Sequence, residues 1–152
     1  MHKVLFVCLG NICRSPTAQG IFEAKLKQQK LQIEADSCGT GAWHVGESPD
    51  ARSVAAAKIA GYDLSHLKAR QLCEQDFEQY DYILAMDARN LADVIKMAPR
   101  GYSGTVSLLL DYAQDVDMTE VPDPYHGGDD GFQRVIELVE QASDGLIKQL
   151  FH

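Results

Sequence analysis

Val4-Leu5-Phe6-Val7 is the first apolar run, and it stops at Cys8, before a stretch interrupted by Gly10 and Asn11. A short run bounded by turn residues reads as a buried strand. From Pro16 to about Gln29, Ala18, Ile21, Phe22 and Leu26 recur at helical spacing and predict a helix. A short second strand is expected around Ile33 to Ser37, followed by a flexible loop over Cys38-Gly39-Thr40-Gly41-Ala42. The next helix starts near Ser48-Pro49 and stops at Gly61, a C-terminal glycine cap. Tyr80 to Met86 reads as the third strand, Ala88 to Met97 as a helix ended before Pro99, and Thr105 to Leu110 as the fourth strand. A long acidic loop separates Asp111 from Gly131. The last helix opens with a capping-box-like start at Asp130-Gly131-Phe132-Gln133 and puts Phe132, Val135, Ile136, Val139 and Leu146 on one face.

Strands alternating with helices predict an α/β fold, with a four-stranded parallel sheet and helices on both faces. In such sheets ligands bind beyond the carboxyl ends of the strands, so the segment after Val7 and the acidic loop should face each other. A loop of about 20 residues inside a compact domain is more often functional than not. The length of 152 residues and an apolar content of 45% suit one domain over residues 1–152, with no repeat or linker. No apolar stretch approaches a membrane span, and Met1-His2-Lys3 leads into a strand without a signal-peptide pattern, so a cytoplasmic protein is expected. Cys8, Cys13, Cys38 and Cys73 are read as reduced. The net charge of −8, without a block of Lys or Arg, argues against a nucleic-acid partner. Anion binding must therefore be local.

Cys8-Leu9-Gly10-Asn11-Ile12-Cys13-Arg14-Ser15 offers such a place. A tight loop between strand and helix aims successive backbone N–H groups at an anion, and the helix N-terminus adds positive partial charge. Arg14 supplies a planar fork for two oxygens of a phosphate, and the same surroundings favour the thiolate of Cys8 as a nucleophile. Gly10 and Asn11 tolerate the left-handed backbone such a loop needs. Ser15 is assigned two parts, N-cap of the helix beginning at Pro16 and hydroxyl donor to the Cys8 thiolate as leaving group. The competing reading is a buried structural cysteine with a chance Cys-x5-Arg spacing.

The loop lacks the glycine and lysine pattern of a nucleotide-binding loop, and Cys8-x4-Cys13 is neither a thioredoxin-type pair nor a zinc knuckle. His2, His44, His66, His126 and His152 show no ligand spacing, so neither a metal nor an organic cofactor is expected. Transfer of a phosphoryl group to a thiolate leaves an alkoxide or phenolate that needs a proton. Asp123, stiffened between Pro122 and Pro124, is the candidate acid; the alternative is a rigid turn in a solvated acidic run.

Val7 to Pro16, Gly39-Thr40-Gly41-Ala42-Trp43-His44-Val45-Gly46, His66-x3-Arg70-Gln71 and Asp123-Pro124-Tyr125 together resemble the low-molecular-weight protein tyrosine phosphatases, in the family's order and along essentially the whole chain. The resemblance implies a phosphatase I-like, flavodoxin-like fold with strand order 2-1-3-4. It implies a two-step reaction in which Cys8 attacks phosphotyrosine while Asp123 protonates the phenolate, then Asp123 activates water to hydrolyse the cysteinyl phosphate. Arg14 and the N–H groups from Leu9 to Ser15, those of Gly10, Asn11, Ile12 and Cys13 included, would hold the equatorial oxygens. Asn11 would brace the loop through Ser37 and His66, and Trp43 and Tyr125 would wall a slot for the substrate ring. Without the family, Ser37 is a strand-end hydroxyl, His66 a loop histidine and Trp43 core packing. His126 stands where some relatives carry a second aromatic residue, which bears on flanking-sequence preference. Expected partners are phosphotyrosine-bearing proteins, a tyrosine kinase among the candidates, with phosphate or other oxyanions as inhibitors.

Three rivals share the pocket. An arsenate reductase would need a cysteine relay, and Cys38 and Cys73 lack a closely spaced pattern. Protein-arginine phosphatases carry threonine at the position of Ile12, which offers no hydroxyl. A non-catalytic phosphotyrosine reader has no use for Asp123 as an acid. Cys13 also lies close enough in the loop to pair with Cys8 under peroxide, protecting the nucleophile from over-oxidation.

Overall fold

The computed structural model describes residues 2–125 and 129–151, with Asp129 described by its backbone alone. Its elements run β1 (Lys3–Cys8), α1 (Arg14–Gln28), β2 (Glu34–Gly39), α2 (Ala51–Ile59), α3 (Asp76–Gln79), β3 (Tyr82–Ala85), α4 (Ala88–Met97), β4 (Thr105–Leu108), a 3-10 turn (Leu109–Tyr112) and α5 (Asp129–Leu150). The strands form one parallel sheet in the order β2-β1-β3-β4, as expected. Every connection is therefore a crossover, and α/β layering follows from it.

The central strand β1 is buried on both sides because its alternate residues feed two cores. Val4, Phe6 and Cys8 pack into the larger one with Ile21 and Phe22 of α1, Ala57 of α2 and Val139 and Leu146 of α5. Leu5 and Val7 pack on the opposite face with Phe77 of α3 and Val94 of α4. No helix among the described residues is long and apolar enough to cross a membrane.

The elements match the apolar pattern, while several boundaries move. Helix α4 spans the predicted Ala88–Met97, with Asp87 as N-cap accepting from Asn90 N at 2.7 Å. Gly61 follows α2 at φ 98°, the left-handed terminus a glycine favours. Helix α2 begins at Ala51 rather than Ser48-Pro49, because Asp50 caps it. Cys38 and Gly39 belong to β2 instead of a flexible loop: their backbone pairs with β1 up to Cys8. Strand β4 ends at Leu108, and Leu109–Leu110 turn into the 3-10 segment. Helix α5 begins at Asp129, so Asp130 lies inside it and cannot be its cap. The four-residue α3 is too short to leave a periodic signal.

Helix α1 carries the main correction. It starts at Arg14, two residues before Pro16, and its N-cap position is Cys13 without a side-chain cap. Ser15 therefore sits within the first turn, where its hydroxyl is directed at Cys8 and not at a helix N–H.

Candidate active site

Strand β1 delivers Cys8 to the carboxyl edge of the sheet, and the chain loops through residues 9–13 into α1. The loop turns on Asn11, a non-glycine residue at φ 59°. Close approach of β2 fixes it from behind: a Cβ on Gly39 would lie 2.6 Å from Leu9 O and 3.1 Å from Asn11 N. Only glycine admits that contact. The Thr40 and Gly41 N–H groups donate to the carbonyls of Cys8 and Leu9, both at 2.9 Å.

A directional hydrogen-bond chain runs to the sulfur. Arg70 N–H donates to Asn11 Oδ1 at 3.0 Å, leaving the Asn11 amide nitrogen to donate to Ser15 Oγ at 2.7 Å and Ser37 Oγ at 3.0 Å. Ser37 passes its own hydrogen to Gln19 Oε1 at 2.7 Å. Ser15 Oγ accepts from Asn11, and its one hydrogen turns between Cys38 O at 3.3 Å and Cys8 Sγ at 3.0 Å. Asn11 N–H also donates to Cys8 Sγ at 3.3 Å. Asn11 N–H and the Ser15 hydroxyl thus both face the sulfur.

Arg14 is buried beside it. Its NH1 group spends both hydrogens, on Asp87 Oδ2 at 2.8 Å and Val121 O at 3.0 Å. A neutralising partner is what allows a buried guanidinium. Asp123 lies on the opposite wall, its Oδ2 3.9 Å from Arg14 NH2 and its Oδ1 accepting from Tyr125 N at 3.0 Å. Its side chain is 42% exposed, so water can reach it. Cys8, Leu9, Gly10, Ile12, Cys13, Arg14, Trp43, His44, Asp123 and Tyr125 enclose a cavity of about 170 Å³.

Trp43 is 72% exposed, which settles it as rim and not core. Its ring lies over Gly41, leaving no room for a Cβ there. Cys13 faces α2, where burial, only partly offset by a hydrogen bond from Ser53, pushes its thiol up to about 12. Among the described residues no group of three or more His, Cys, Asp or Glu is placed to hold a metal ion. The arrangement can bind a tetrahedral oxyanion, attack it with sulfur and protonate what leaves.

Residues 3–152 match the family described as low molecular weight phosphotyrosine protein phosphatase. The chain belongs to that family. It is 47% identical over 148 residues to the low molecular weight phosphotyrosine protein phosphatase of Schizosaccharomyces pombe, covering 95% of this chain and 94% of the relative. The crystal structure of the Entamoeba histolytica protein tyrosine phosphatase, solved with Hepes in the active site, superposes with a TM-score of 0.94 at 38% identity, covering 99% of this chain and 97% of that one. A Drosophila arginine phosphatase superposes with a TM-score of 0.93 at 32% identity, covering 99% and 98%. Low molecular weight phosphatase architecture therefore accounts for the fold along nearly the whole chain.

One member of the expected phosphatase site is not where the motif suggested. His66 does not brace Asn11: its side chain is 61% exposed and lies 4.0 Å from Asp63. The neighbours Leu64 and Leu67 turn inward in its place, and Arg70 N–H takes the Asn11 oxygen. Ser37 does brace Asn11. His126 lies outside the described residues. Sequence reasoning passed over Asp87, Gln19 and the part His44 takes in the cavity wall; of these only Asp87, a carboxylate just before a predicted helix, left a readable signal.

Proposed function

We propose that this chain hydrolyses phosphotyrosine in proteins through a cysteinyl-phosphate intermediate on Cys8. The observation that carries the reading is the convergence of Cys8 Sγ, Arg14 and Asp123 on one cavity, with Ser15 Oγ 3.0 Å from the sulfur. The thiolate attacks phosphorus, the phosphorus–oxygen bond to the ring breaks, and Asp123 gives its proton to the phenolate. Asp123, now a carboxylate, takes a proton from the water that attacks the phosphocysteine. The phosphorus–sulfur bond breaks, and the Ser15 hydroxyl stabilises the departing thiolate. Arg14, its NH1 group fixed by Asp87 and Val121, presents its remaining donors to the equatorial oxygens and binds them most tightly in the transition state. Trp43 and Tyr125 flank the ring of a substrate long enough to bring phosphorus to the cavity floor.

Ile12 lines the same cavity and offers no hydroxyl, which favours a phenolic ester over phosphoarginine, the alternative that the Drosophila relative keeps in view. In this reading residues 1–152 form one catalytic domain in the cytoplasm, its thiols free, acting on phosphotyrosine proteins such as a tyrosine kinase. Inorganic phosphate competes for the loop. Peroxide joins Cys8 to Cys13 reversibly; a Cys13→Ser variant inactivated and recovered like the parent would refute that protection.

The test is hydrolysis of p-nitrophenyl phosphate in the presence of a chelator. Cys8→Ser should show no turnover, and Asp123→Ala should lose about 10²-fold or more. Turnover by Cys8→Ser would overturn the mechanism, and loss of parent activity to the chelator would point to metal catalysis. Phosphotyrosine, phosphoserine and phosphoarginine peptides decide the substrate class.

A further inference from the structure

Asp123 is stiff but not thereby located. Pro122 and Pro124 restrict the backbone on either side of it, and a rigid segment still needs anchors at both ends. The near end is anchored: Val121 N–H donates to Met86 O at 2.8 Å and Val121 O accepts from Arg14. In the middle Pro124 is buried near α5, which supplies a pivot. At the far end the anchor is Arg52, in the first turn of α2 and outside the cavity.

The Arg52 guanidinium donates from Nε and NH2 to the two oxygens of Asp50, each at 3.1 Å, and from NH2 to Tyr125 O at 3.0 Å. Its Cζ lies 5.4 Å from the Tyr125 ring centroid and 4.8 Å from that of Phe132. Asp50 is tied to the nucleophile's loop, because its N–H donates to Ile12 O at 2.7 Å. Tyr125 is tied to the acid, because its N–H donates to Asp123 Oδ1 at 3.0 Å. One unbroken path therefore runs from the phosphate loop through Asp50 and Arg52 to the general acid. Arg52 is exposed, and its ion pair alone would contribute little. What it adds is a planar fork that fills three acceptors while lying against two rings, a geometry lysine cannot reproduce.

We propose that Arg52 is a positioning residue for the reaction: it sets the height and rotation of the Asp123 loop over Cys8, and so the proton delivery to the leaving group. The inference rests on the proposed phosphatase function. A misplaced acid matters most when the leaving group is a poor one, such as phenol or tyrosine, and least for the acidic nitrophenol.

The test compares kcat/KM for p-nitrophenyl phosphate, phenyl phosphate and a phosphotyrosine peptide in the parent, Arg52→Ala and Arg52→Lys. Arg52→Ala should lose about tenfold or more on phenyl phosphate and the peptide but less than about threefold on p-nitrophenyl phosphate. Arg52→Lys should show the same selective loss, reduced. Inhibition by inorganic phosphate should stay within about twofold of the parent, since the loop around Cys8 is untouched. In an Asp123→Ala background the further Arg52→Ala change should cost nothing more. A loss equal across the three substrates, weakened phosphate inhibition or full activity of either variant would overturn the inference while leaving the phosphatase reading intact. Absence of turnover by the parent would instead bring down the proposed function, and the inference with it.

Discussion

Asn11 combines two demands that no other side chain meets together. Its φ of 59° is strained for most residues, and its amide both accepts from Arg70 and donates to Ser15 and Ser37. Replacements separate the two. Asn11→Gly keeps the left-handed backbone but deletes the amide, so stability should fall by about 3 kcal/mol, at about 1 kcal/mol for each of the three hydrogen bonds, while turnover drops about tenfold or more as Ser15 loses its orientation. Asn11→Ala deletes the amide and adds the backbone strain, so it should melt lower than the glycine variant by about 1 kcal/mol. Thermal melts of the two proteins beside p-nitrophenyl phosphate turnover make the comparison; equal melting points would refute the strain argument. Cys8, Arg14, Ser15 and Asp123 were legible in the sequence because they lie in local motifs whose residue types imply the chemistry. Arg70 as partner of Asn11 was not, since that contact spans 59 positions and uses a backbone N–H that any residue offers. The His66 expectation failed for the same reason: which of several neighbouring side chains turns inward is decided by packing, and Leu64 and Leu67 win it.

Helix α4 acts through its first residues. Asp87 caps it through Oδ1 and holds Arg14 through Oδ2, while Glu120 accepts from Ala88 N at 2.6 Å, so the helix start is tied to the site from both sides. Asp87→Asn should preserve the cap, since asparagine serves equally well there, but it removes the charge that balances a buried guanidinium. Asp87→Ala removes both and should destabilise by about 2 kcal/mol, below the roughly 3–5 kcal/mol of a fully buried pair because Asp87 is itself partly exposed. Both variants should lose phosphate affinity; a denaturation midpoint for Asp87→Asn as low as that of the alanine variant would show that the charge, not the cap, governs stability. This element was readable because a helical stretch from Ala88 to Met97 is closed by Pro99. Strand β2 was ended at Ser37 because Cys38-Gly39 lacks the β-branched and aromatic residues that announce a strand. Its small residues are explained by the phosphate loop crossing them, a contact visible only in three dimensions.

Across the molecule, several neutral groups, the buried thiols Cys13 and Cys38 and the half-buried phenols Tyr62 and Tyr102, are placed so that ionising them opposes folding. Burial pushes the Cys13 thiol from 9.0 up to about 12 and the Tyr102 phenol from 10.0 up to about 12. Burial also raises Cys38 well above its ordinary value, and burial together with the neighbouring Glu140 raises Tyr62. These groups are spread over the α1 loop, β2, the far face near α3 and the α2–α5 contact, so their linkage acts on the fold as a whole. The sign follows from proton counts. Above 9.0 the unfolded chain loses protons that the native state retains, so the stability fully present at neutral pH falls as pH rises toward about 12. Each group contributes at most about 1.4 kcal/mol per pH unit, less where solvent reaches it. The net charge of −8 grows more negative over the same range and adds self-repulsion, which salt screens but the linkage does not. Urea midpoints measured at about pH 7.5 and about pH 10.5, with and without about 0.5 M salt, should fall at the higher pH and recover only in part with salt. The decline should be shallower in Cys13→Ser, which has one fewer titrating thiol. A midpoint that stays level, or one that salt restores completely, would mean that these groups do not govern the alkaline limit of the fold.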